Sequence, residues 1–333
     1  MKCDPCTRRE LLRAGSAALA SLALAASPLA RAQSTPATLR ILCSAGAGST
    51  PDIVARRVAE QLGGGHFQRA IVENRPGAAA QVAVNALKMF PADGATLMLG
   101  AGSVATVNPV LYEKLSYDPA ADLQPVSLAA EMPLALAVGP AVPGDVRDLK
   151  GFLEWMRRHP QSANIGSPGV GTLPHLVEAL LFRQAGVTWQ NVTYPGGGQV
   201  VVALLGGEIA GLILPEGVLR QHRDAGRLRV LASTAARPTR YMPDVPVFAT
   251  LDFPDLVVSE WFAFYASGGV PANQVAVGAE AIREAVARPE LVAKFAESGI
   301  VAVSSTPAEM AKRIVAERAY WEPIIRATGI RVG

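Results

Sequence analysis

Small and hydroxyl-bearing residues form a segment, residues 44–52, that follows a short apolar run and precedes a helical pattern. Ser49 or Thr50 can cap that helix, and Pro51 suits its first turn. Ser49 and Asp52 also stand at the spacing of a capping box. The small residues before the helix leave its backbone N–H groups accessible, and a helix N-terminus attracts anions. The segment predicts an anion site, with a plain tight turn as an equal alternative.

A second segment, residues 167–175, repeats this design. Thr172 is its candidate cap, and Pro174 lies early in the following helix. Neither segment contains Lys or Arg, so an anion would be held by N–H groups and hydroxyls, which suits a carboxylate. His175 is the histidine with a predicted ligand role. The alternative for His175 is a helix N-terminal side chain bonded to nearby backbone.

Two further features lie between predicted strands and helices. Glu216 follows a predicted strand, residues 209–214, and can face a cleft at the end of that strand. Three consecutive glycines, residues 196–198, are predicted to form a structural turn rather than a ligand contact. The candidate ligand-binding residues are Ala45, Gly48, Ser49, Thr50, Asp52, Ser103, Ser167, Gly169, Val170, Gly171, Thr172, His175 and Glu216.

The residues that enzymes use for catalysis form no convincing group. Covalent catalysis needs a nucleophile beside a base, and acid–base catalysis needs positioned acids. Neither segment contains the glycine pattern of a nucleotide-binding loop. The four histidines are scattered and form no metal-type pair; they are His66, His159, His175 and His222. The sequence therefore predicts a binding protein with no catalytic site, no cofactor and no metal.

Alternating strand and helix patterns position the two segments. Residues 40–43 and 164–167 are predicted strands, and residues 52–62 and 174–184 are predicted helices. Such alternation predicts parallel sheets with crossover helices, an α/β fold. Ligands of such sheets bind beyond the carboxyl ends of the strands, which is where both segments lie.

The bulk composition excludes nucleic acid as a partner. The chain has 333 residues, half of them apolar, which is enough for two lobes. Its net charge is +3, but the first 32 residues hold five basic and two acidic side chains. The rest of the chain is therefore balanced in charge. A balanced chain without runs of Lys or Arg has no electrostatic footprint for nucleic acid.

Residues 1–32 have the order of a signal peptide. Arg8 and Arg9 precede a short apolar stretch, and residues 30–32 form a small-x-small cleavage site. Consecutive arginines are typical of a twin-arginine export signal, and an ordinary secretory signal is the alternative. A membrane anchor is disfavoured because the apolar stretch is short. Cleavage would leave Cys43 as the remaining cysteine, without an intramolecular disulfide. The sequence predicts a periplasmic protein.

The two segments resemble motifs of a known family. Residues 48–56 and 167–175 are similar to those of the Bug family of periplasmic solute receptors, the extracytoplasmic receptors of tripartite tricarboxylate transporters. Residues 72–78 and the pair Trp261-Phe262 stand in the order that the family shows. The similarity runs from about Leu39 to the C-terminus.

This resemblance implies a Venus flytrap fold, two α/β lobes crossed twice by the chain. The implied bounds are 39–133 and 260–333 for lobe 1 and 134–259 for lobe 2. The family implies a small mono- or dicarboxylate as ligand and a membrane permease of a tripartite tricarboxylate transporter as partner. A signalling receptor that contacts a sensor kinase is the alternative. The protein is expected to be a monomer.

One difference from the family concerns the wall of the predicted site. Ser44 and Ala45 stand where the family usually has proline followed by an aromatic residue. Loss of that aromatic side chain leaves room for a larger or differently shaped ligand.

Overall fold

The computed structural model describes residues 38–63 and 66–332, so the predicted signal peptide lies outside the described residues. The strands are β1 (Thr38–Cys43), β2 (Arg69–Asn74), β3 (Thr96–Ala101), β4 (Leu123–Val138), β5 (Asn164–Ser167), β6 (Gln190–Thr193), β7 (Gly211–Pro215), β8 (Arg229–Ser233), β9 (Ser259–Ser267) and β10 (Val301–Ala302). The α-helices are α1 (Thr50–Leu62), α2 (Gln81–Lys88), α3 (Ser103–Thr106), α4 (Asn108–Leu111), α5 (Pro119–Asp122), α6 (Leu149–Arg158), α7 (Leu173–Gln184), α8 (Gly197–Gly206), α9 (Glu216–Asp224), α10 (Ala272–Ala287), α11 (Pro289–Glu297) and α12 (Pro307–Thr328). Within these two ranges of the chain, we find no helix long and apolar enough to cross a membrane.

The first sheet has a parallel centre formed by β2, β1 and β3. β9 runs antiparallel to β3 and connects it to the first part of β4. The short β10 pairs with β4 at Ala130 and Glu131. The strand order of this sheet is β2-β1-β3-β9-β4-β10.

The second sheet shares β4 with the first. From Leu134 onward β4 pairs antiparallel with β7 and with β8. β5 lies parallel to both β7 and β6, which gives the order β8-β4-β7-β5-β6. One strand of 16 residues therefore carries the chain from the first lobe into the second.

The chain returns to the first lobe beside this strand. The buried Thr234 joins the two connections: its N–H donates to the carbonyl of Leu134 at 2.8 Å, and its hydroxyl accepts the Leu134 N–H at 2.8 Å. The same hydroxyl donates to the carbonyl of Val258 at 2.6 Å. β9 then begins at Ser259, opposite Pro133. Both crossings thus lie in one hinge region.

Each lobe has its own apolar core. In the first, α1 buries Val54, Val58 and Leu62, which lie on one face of the helix at a spacing of four. Burying a side chain of this size stabilises the fold by about 1.5–3 kcal/mol. In the second, α12 adds Trp321 and Ile325 to the core although the helix begins against the first lobe. The C-terminal helix therefore packs on both lobes.

The predicted α/β fold of two lobes crossed twice is confirmed by these two sheets. The residue bounds proposed for the lobes stay a prediction. The helices that follow the predicted segments begin one or two residues earlier than predicted, α1 at Thr50 and α7 at Leu173.

Candidate functional site

Three helices begin at one cavity between the two lobes. α1 follows β1 in the first lobe, whereas α7 and α8 follow β5 and β6 in the second. The cavity has a volume of about 900 Å³, which is within the usual range of small-molecule sites. Its wall contains the first-turn residues of all three helices: Thr50 and Pro51, Leu173 and Pro174, and Gly197, Gly198 and Gln199.

The N-termini of these three helices carry no side-chain cap. α12 shows the contrast, because Thr306 and Glu309 cap each other's backbone there in a capping box. In the part of the chain that the structure describes, the N–H groups of Thr50, Leu173 and Gly198 make no hydrogen bond. Each helix also directs the positive end of its dipole towards the cavity. The cavity thus offers free donors and positive potential to an anion from both lobes.

Residues 44–49, between β1 and α1, are called the first loop. Asp52 lies beneath this loop and outside the cavity wall. Its side chain, 5% exposed, accepts the N–H of Gly48 at 2.9 Å and Nε of Arg56 at 3.0 Å. It also accepts Nδ2 of Asn74 at 2.8 Å. Burial alone would raise the pKa of this carboxyl, but the hydrogen bonds from Arg56, Gly48 and Asn74 outweigh it, and the pKa is lowered. Asp52 is therefore an ionised brace that holds the loop in place.

The hydroxyls of the two N-cap residues are bonded within their own loops. Ser49 Oγ donates to the carbonyl of Gly46 at 2.6 Å, and Thr172 Oγ1 donates to the carbonyl of Gly169 at 2.8 Å. These protons are not available to a ligand while the bonds persist. Backbone N–H groups, more than these hydroxyls, are the donors that the loops leave for an anion.

Residues 168–172, between β5 and α7, are called the second loop. His175 lies behind this loop and is 5% exposed. Its Nδ1 accepts the N–H of Gly171 at 3.0 Å, and its ring meets the edge of Trp189 with 5.9 Å between centroids. Burial lowers the pKa of His175, so the imidazole is neutral at pH 7. Because Nδ1 is the acceptor, the proton lies on Nε2. The structure shows the arrangement that the sequence left as the alternative, a side chain bonded to nearby backbone.

Ser167 and Glu216 are buried in the second lobe, and neither of them lines the cavity. Ser167 Oγ donates to Oδ1 of Asn191 at 2.8 Å. Glu216 is 1% exposed and accepts the hydroxyl protons of Ser233 and Thr239, the latter at 2.6 Å. Burial raises the pKa of Glu216. The two hydrogen bonds of Glu216 connect the start of α9 to the end of β8 and to the loop that follows β8.

Some of the candidate residues meet at the cavity and the others do not. Those in the wall are Gly48, Ser49, Thr50, Ser103 and Thr172. Those outside it are Ala45, Asp52, Ser167, Gly169, Val170, Gly171, His175 and Glu216. Of the second group, Ala45 packs against the core of the first lobe and Val170 is exposed. Ligand contact by any of these residues stays a prediction.

The segment with three consecutive glycines, predicted to form a structural turn, also contributes to the cavity wall, and whether it contacts a ligand stays a prediction. Residues 195–199 all line the cavity, and Gly197 and Gly198 form the first turn of α8. Without side chains, these glycines leave their N–H groups open to the cavity. The signal was the one seen in the other two loops, small residues between a strand and a helix.

β9 supplies two wall residues that the sequence analysis did not select. Phe262 gives apolar surface, and Glu260 gives a carboxyl group. They lie on one face of the strand because side chains alternate along it. Burial, together with the charge of Glu317, raises the pKa of Glu260 to about 8.

Other features of the molecule do not compete with this cavity. A groove of about 410 Å³ between β4 and α12 contains none of the candidate residues. Across residues 38–63 and 66–332, no group of three or more His, Cys, Asp or Glu side chains could hold a metal ion. Cys43 is fully buried, and burial raises the pKa of its thiol. The interlobe cavity is therefore the candidate site.

Comparison with known proteins gives concordant similarities. The family described as tripartite tricarboxylate transporter family receptor matches residues 54–330. Protein BugT of Bordetella pertussis is 30% identical over 286 residues, which cover 86% of this chain and 87% of BugT. The solved structure of Rpa4515 from R. palustris with adipate is 25% identical, with a TM-score of 0.81, over 90% of this chain and 99% of that one. A solved structure of a periplasmic transporter is 28% identical, with a TM-score of 0.80, and has the same coverage.

Proposed function

This chain belongs to the tripartite tricarboxylate transporter receptor family, and we propose that it is an extracytoplasmic solute receptor for a small carboxylate-containing ligand. The observation that carries the proposal is the meeting of three uncapped helix N-termini, from both lobes, at one cavity. Adipate, present in the structure of the similar Rpa4515, belongs to this class of ligand.

The cavity wall has the two kinds of surface that such a ligand needs. Carboxylate oxygens would accept hydrogen bonds from the first-turn N–H groups of α1, α7 and α8. Phe262 and Leu214 would contact the carbon skeleton of the ligand. Because the donors belong to both lobes, a bound ligand connects the lobes and favours a closed arrangement. The crossings joined by Thr234 are the place where the molecule would bend.

In this proposal the closed receptor delivers its ligand, chemically unchanged, to the membrane permease of a tripartite tricarboxylate transporter. Family membership supports this partner. The lobes would comprise residues 39–133 with 260–333, and residues 134–259. The exchange of strand partners between Pro133 and Leu134 supports the first of these bounds, and the start of β9 at Ser259 supports the second.

Binding of carboxylates is the test of this function. Receptor purified without unfolding is expected to release a small carboxylate that mass spectrometry identifies. Ligand-free receptor should bind that acid, or adipate, in isothermal titration calorimetry. The corresponding diamide should bind at least about tenfold more weakly, because charge-assisted hydrogen bonds are roughly twice as strong as neutral ones. Equal binding of the acid and the amide, or chemical conversion of the acid by the protein, would contradict the proposal.

Export to the periplasm is a separate expectation. Replacing Arg8 and Arg9 together with Lys is expected to retain the precursor in the cytoplasm, because the twin-arginine route needs the arginine pair. The mature protein should begin at Gln33. Cell fractionation and N-terminal sequencing give both readouts, and Arg13→Lys is the control for the same exchange at an arginine outside the pair. Normal export of the double variant would assign the protein to the ordinary secretory route.

A further inference from the structure

Glu260 is a carboxyl group in a cavity built for an anion. The rest of the wall, as far as the structure describes it, consists of glycine, alanine, proline, hydroxyl, amide and apolar residues, without Lys, Arg or His. Glu260 projects from β9 on the same face as Phe262, next to the point where β4 passes between the lobes. A carboxylate ligand therefore meets a protein carboxyl and no cationic side chain.

The groups around Glu260 leave it without a charged partner. Glu317 of α12 accepts Nε1 of Trp261 at 2.7 Å and Nε of Arg313 at 2.8 Å. Arg313 also pairs with Glu131 of β4 at 2.9 Å, so two other carboxylates share its guanidinium. β3, which pairs with β9, contains no titratable residue. The residues that the second lobe contributes to the cavity wall include none either. Among the described residues, none forms a hydrogen bond with the carboxyl group of Glu260.

Two like charges in one confined cavity disfavour each other strongly, and the cost is avoided when one group takes up a proton. We propose that Glu260 is neutral in the ligand complex and donates its O–H to an oxygen of the carboxylate ligand. If Glu260 is ionised in the free receptor, its carboxylate takes up a proton from solvent as the complex forms. A neutral carboxyl is a known hydrogen-bond donor to anionic groups in apolar sites. The proposal rests on the carboxylate-binding function proposed above.

The titration of the free receptor agrees with this role. Burial, and after it the charge of Glu317, raises the pKa of Glu260 to about 8. At pH 7 the side chain is therefore mostly neutral, and binding needs little proton uptake. Above pH 8 Glu260 is mostly ionised in the free receptor, so the binding of each ligand must be accompanied by the uptake of one proton. The affinity should then fall about tenfold for each pH unit.

Calorimetry with adipate and malate between pH 6.5 and 9.5 tests the proposal, because both acids are fully or almost fully ionised over this range. The dissociation constant is expected to change little up to about pH 7.5 and to rise about tenfold between pH 8.5 and 9.5. Buffers of different ionisation enthalpy should reveal uptake of nearly one proton per ligand at pH 9.5. Glu260→Gln keeps a donor without a titration, so it should bind with neither pH dependence nor proton uptake. Glu154→Gln, an exposed residue of α6, should behave like the parent.

A second measurement needs no ligand. The folded-state pKa of Glu260 lies above its ordinary value of 4.5, so charging it costs stability progressively between these two values. The melting temperature of Glu260→Gln should equal that of the parent at pH 4.5 and exceed it by a growing margin up to pH 8. A margin that does not change with pH overturns the proposal.

The binding outcomes separate this proposal from the function on which it rests. If adipate or malate binds the parent with the same affinity from pH 6.5 to 9.5, the proposal for Glu260 is overturned, whereas the proposed carboxylate-binding function is not affected. Tighter binding at high pH, lost in Glu260→Gln, would show an ionised Glu260 holding a cationic group, and this also overturns it. If no probe carboxylate binds at any pH, the proposed function is contradicted and the proposal fails with it.

Discussion

An aspartate at Gly46 or at Gly198 is expected to abolish ligand binding while the protein stays folded. Both glycines line the interlobe cavity, one in each lobe. A Cβ atom at either position meets no atom within 4 Å, and neither residue has a positive φ. The new carboxylate would occupy the space in front of the free helix N–H groups. A like charge opposite the ligand costs several kcal/mol, so calorimetry should show a loss of more than about a hundredfold in affinity.

The control for this pair is Gly144→Asp. Gly144 also has open space around its Cβ position and no positive φ, but it lies in an exposed loop outside the cavity. Gly48 and Gly171, the glycines that the sequence suggests first, are unsuitable because their φ angles are +79° and +76°. At Gly171 a Cβ would also lie 1.9 Å from the Leu111 side chain. If both cavity variants fold and bind like the parent, the anion is held elsewhere.

The loops at the cavity could be predicted because their signals are local. Small residues, a candidate cap and an early proline identify the starts of α1 and α7 within two residues of where the structure has them. Small residues also precede α8, but without a hydroxyl residue as candidate cap or an early proline, and a run of glycines also suits a structural turn. The sequence alone does not distinguish a structural turn from a part of the cavity wall, because the difference depends on which part of the first lobe this segment faces. Only the folded arrangement places residues 195–199 opposite the first loop.

The long strand between the lobes was less visible in the sequence. The apolar residues 134–138 predict a short strand, whereas β4 begins at Leu123. Pro125 and Pro133 each remove a donor from the ladder, which argues against a continuous central strand. The structure accommodates them where pairing is irregular: the register shifts between Pro125 and Ser127, and the strand changes partners after Pro133.

The roles of polar residues near the cavity depended on contacts distant in sequence. His175 accepts the N–H of Gly171 and packs against Trp189, and the position of this tryptophan near the ring could not be read from the sequence. Glu260 faces the cavity because of its register on β9, a strand whose partners lie more than a hundred residues away. No local pattern distinguishes such a carboxyl from one on a solvated strand face.

Replacing Asp52 with Ala is expected to destabilise the protein and weaken binding together. The carboxylate accepts hydrogen bonds from Gly48, Arg56 and Asn74 and is nearly inaccessible to solvent. Its removal takes the acceptor from the N–H of Gly48 and from the amide of Asn74, and takes the ion-pair partner from the half-exposed Arg56, so the free energy of unfolding should fall by about 3 kcal/mol. The first loop would also lose the bond that fixes Gly48, and with it the position of the N–H groups at the start of α1. Chemical denaturation measures the first effect, and calorimetry at a temperature where the variant is folded measures the second.

Glu60→Ala on the same helix is the matched control, because Glu60 is exposed and its ion pairs with Arg57 and Lys294 are on the surface. Such pairs contribute less than about 1 kcal/mol, and ligand binding should not change. The pKa of Asp52 is lowered in the folded state, so its stabilisation is present above its ordinary value of 3.8 and is lost as the pH falls through the folded-state pKa. The difference between parent and Asp52→Ala should therefore shrink as the solution becomes more acidic than pH 4. A difference that stays constant into that range would mean that the aspartate contributes through packing and not through its charge.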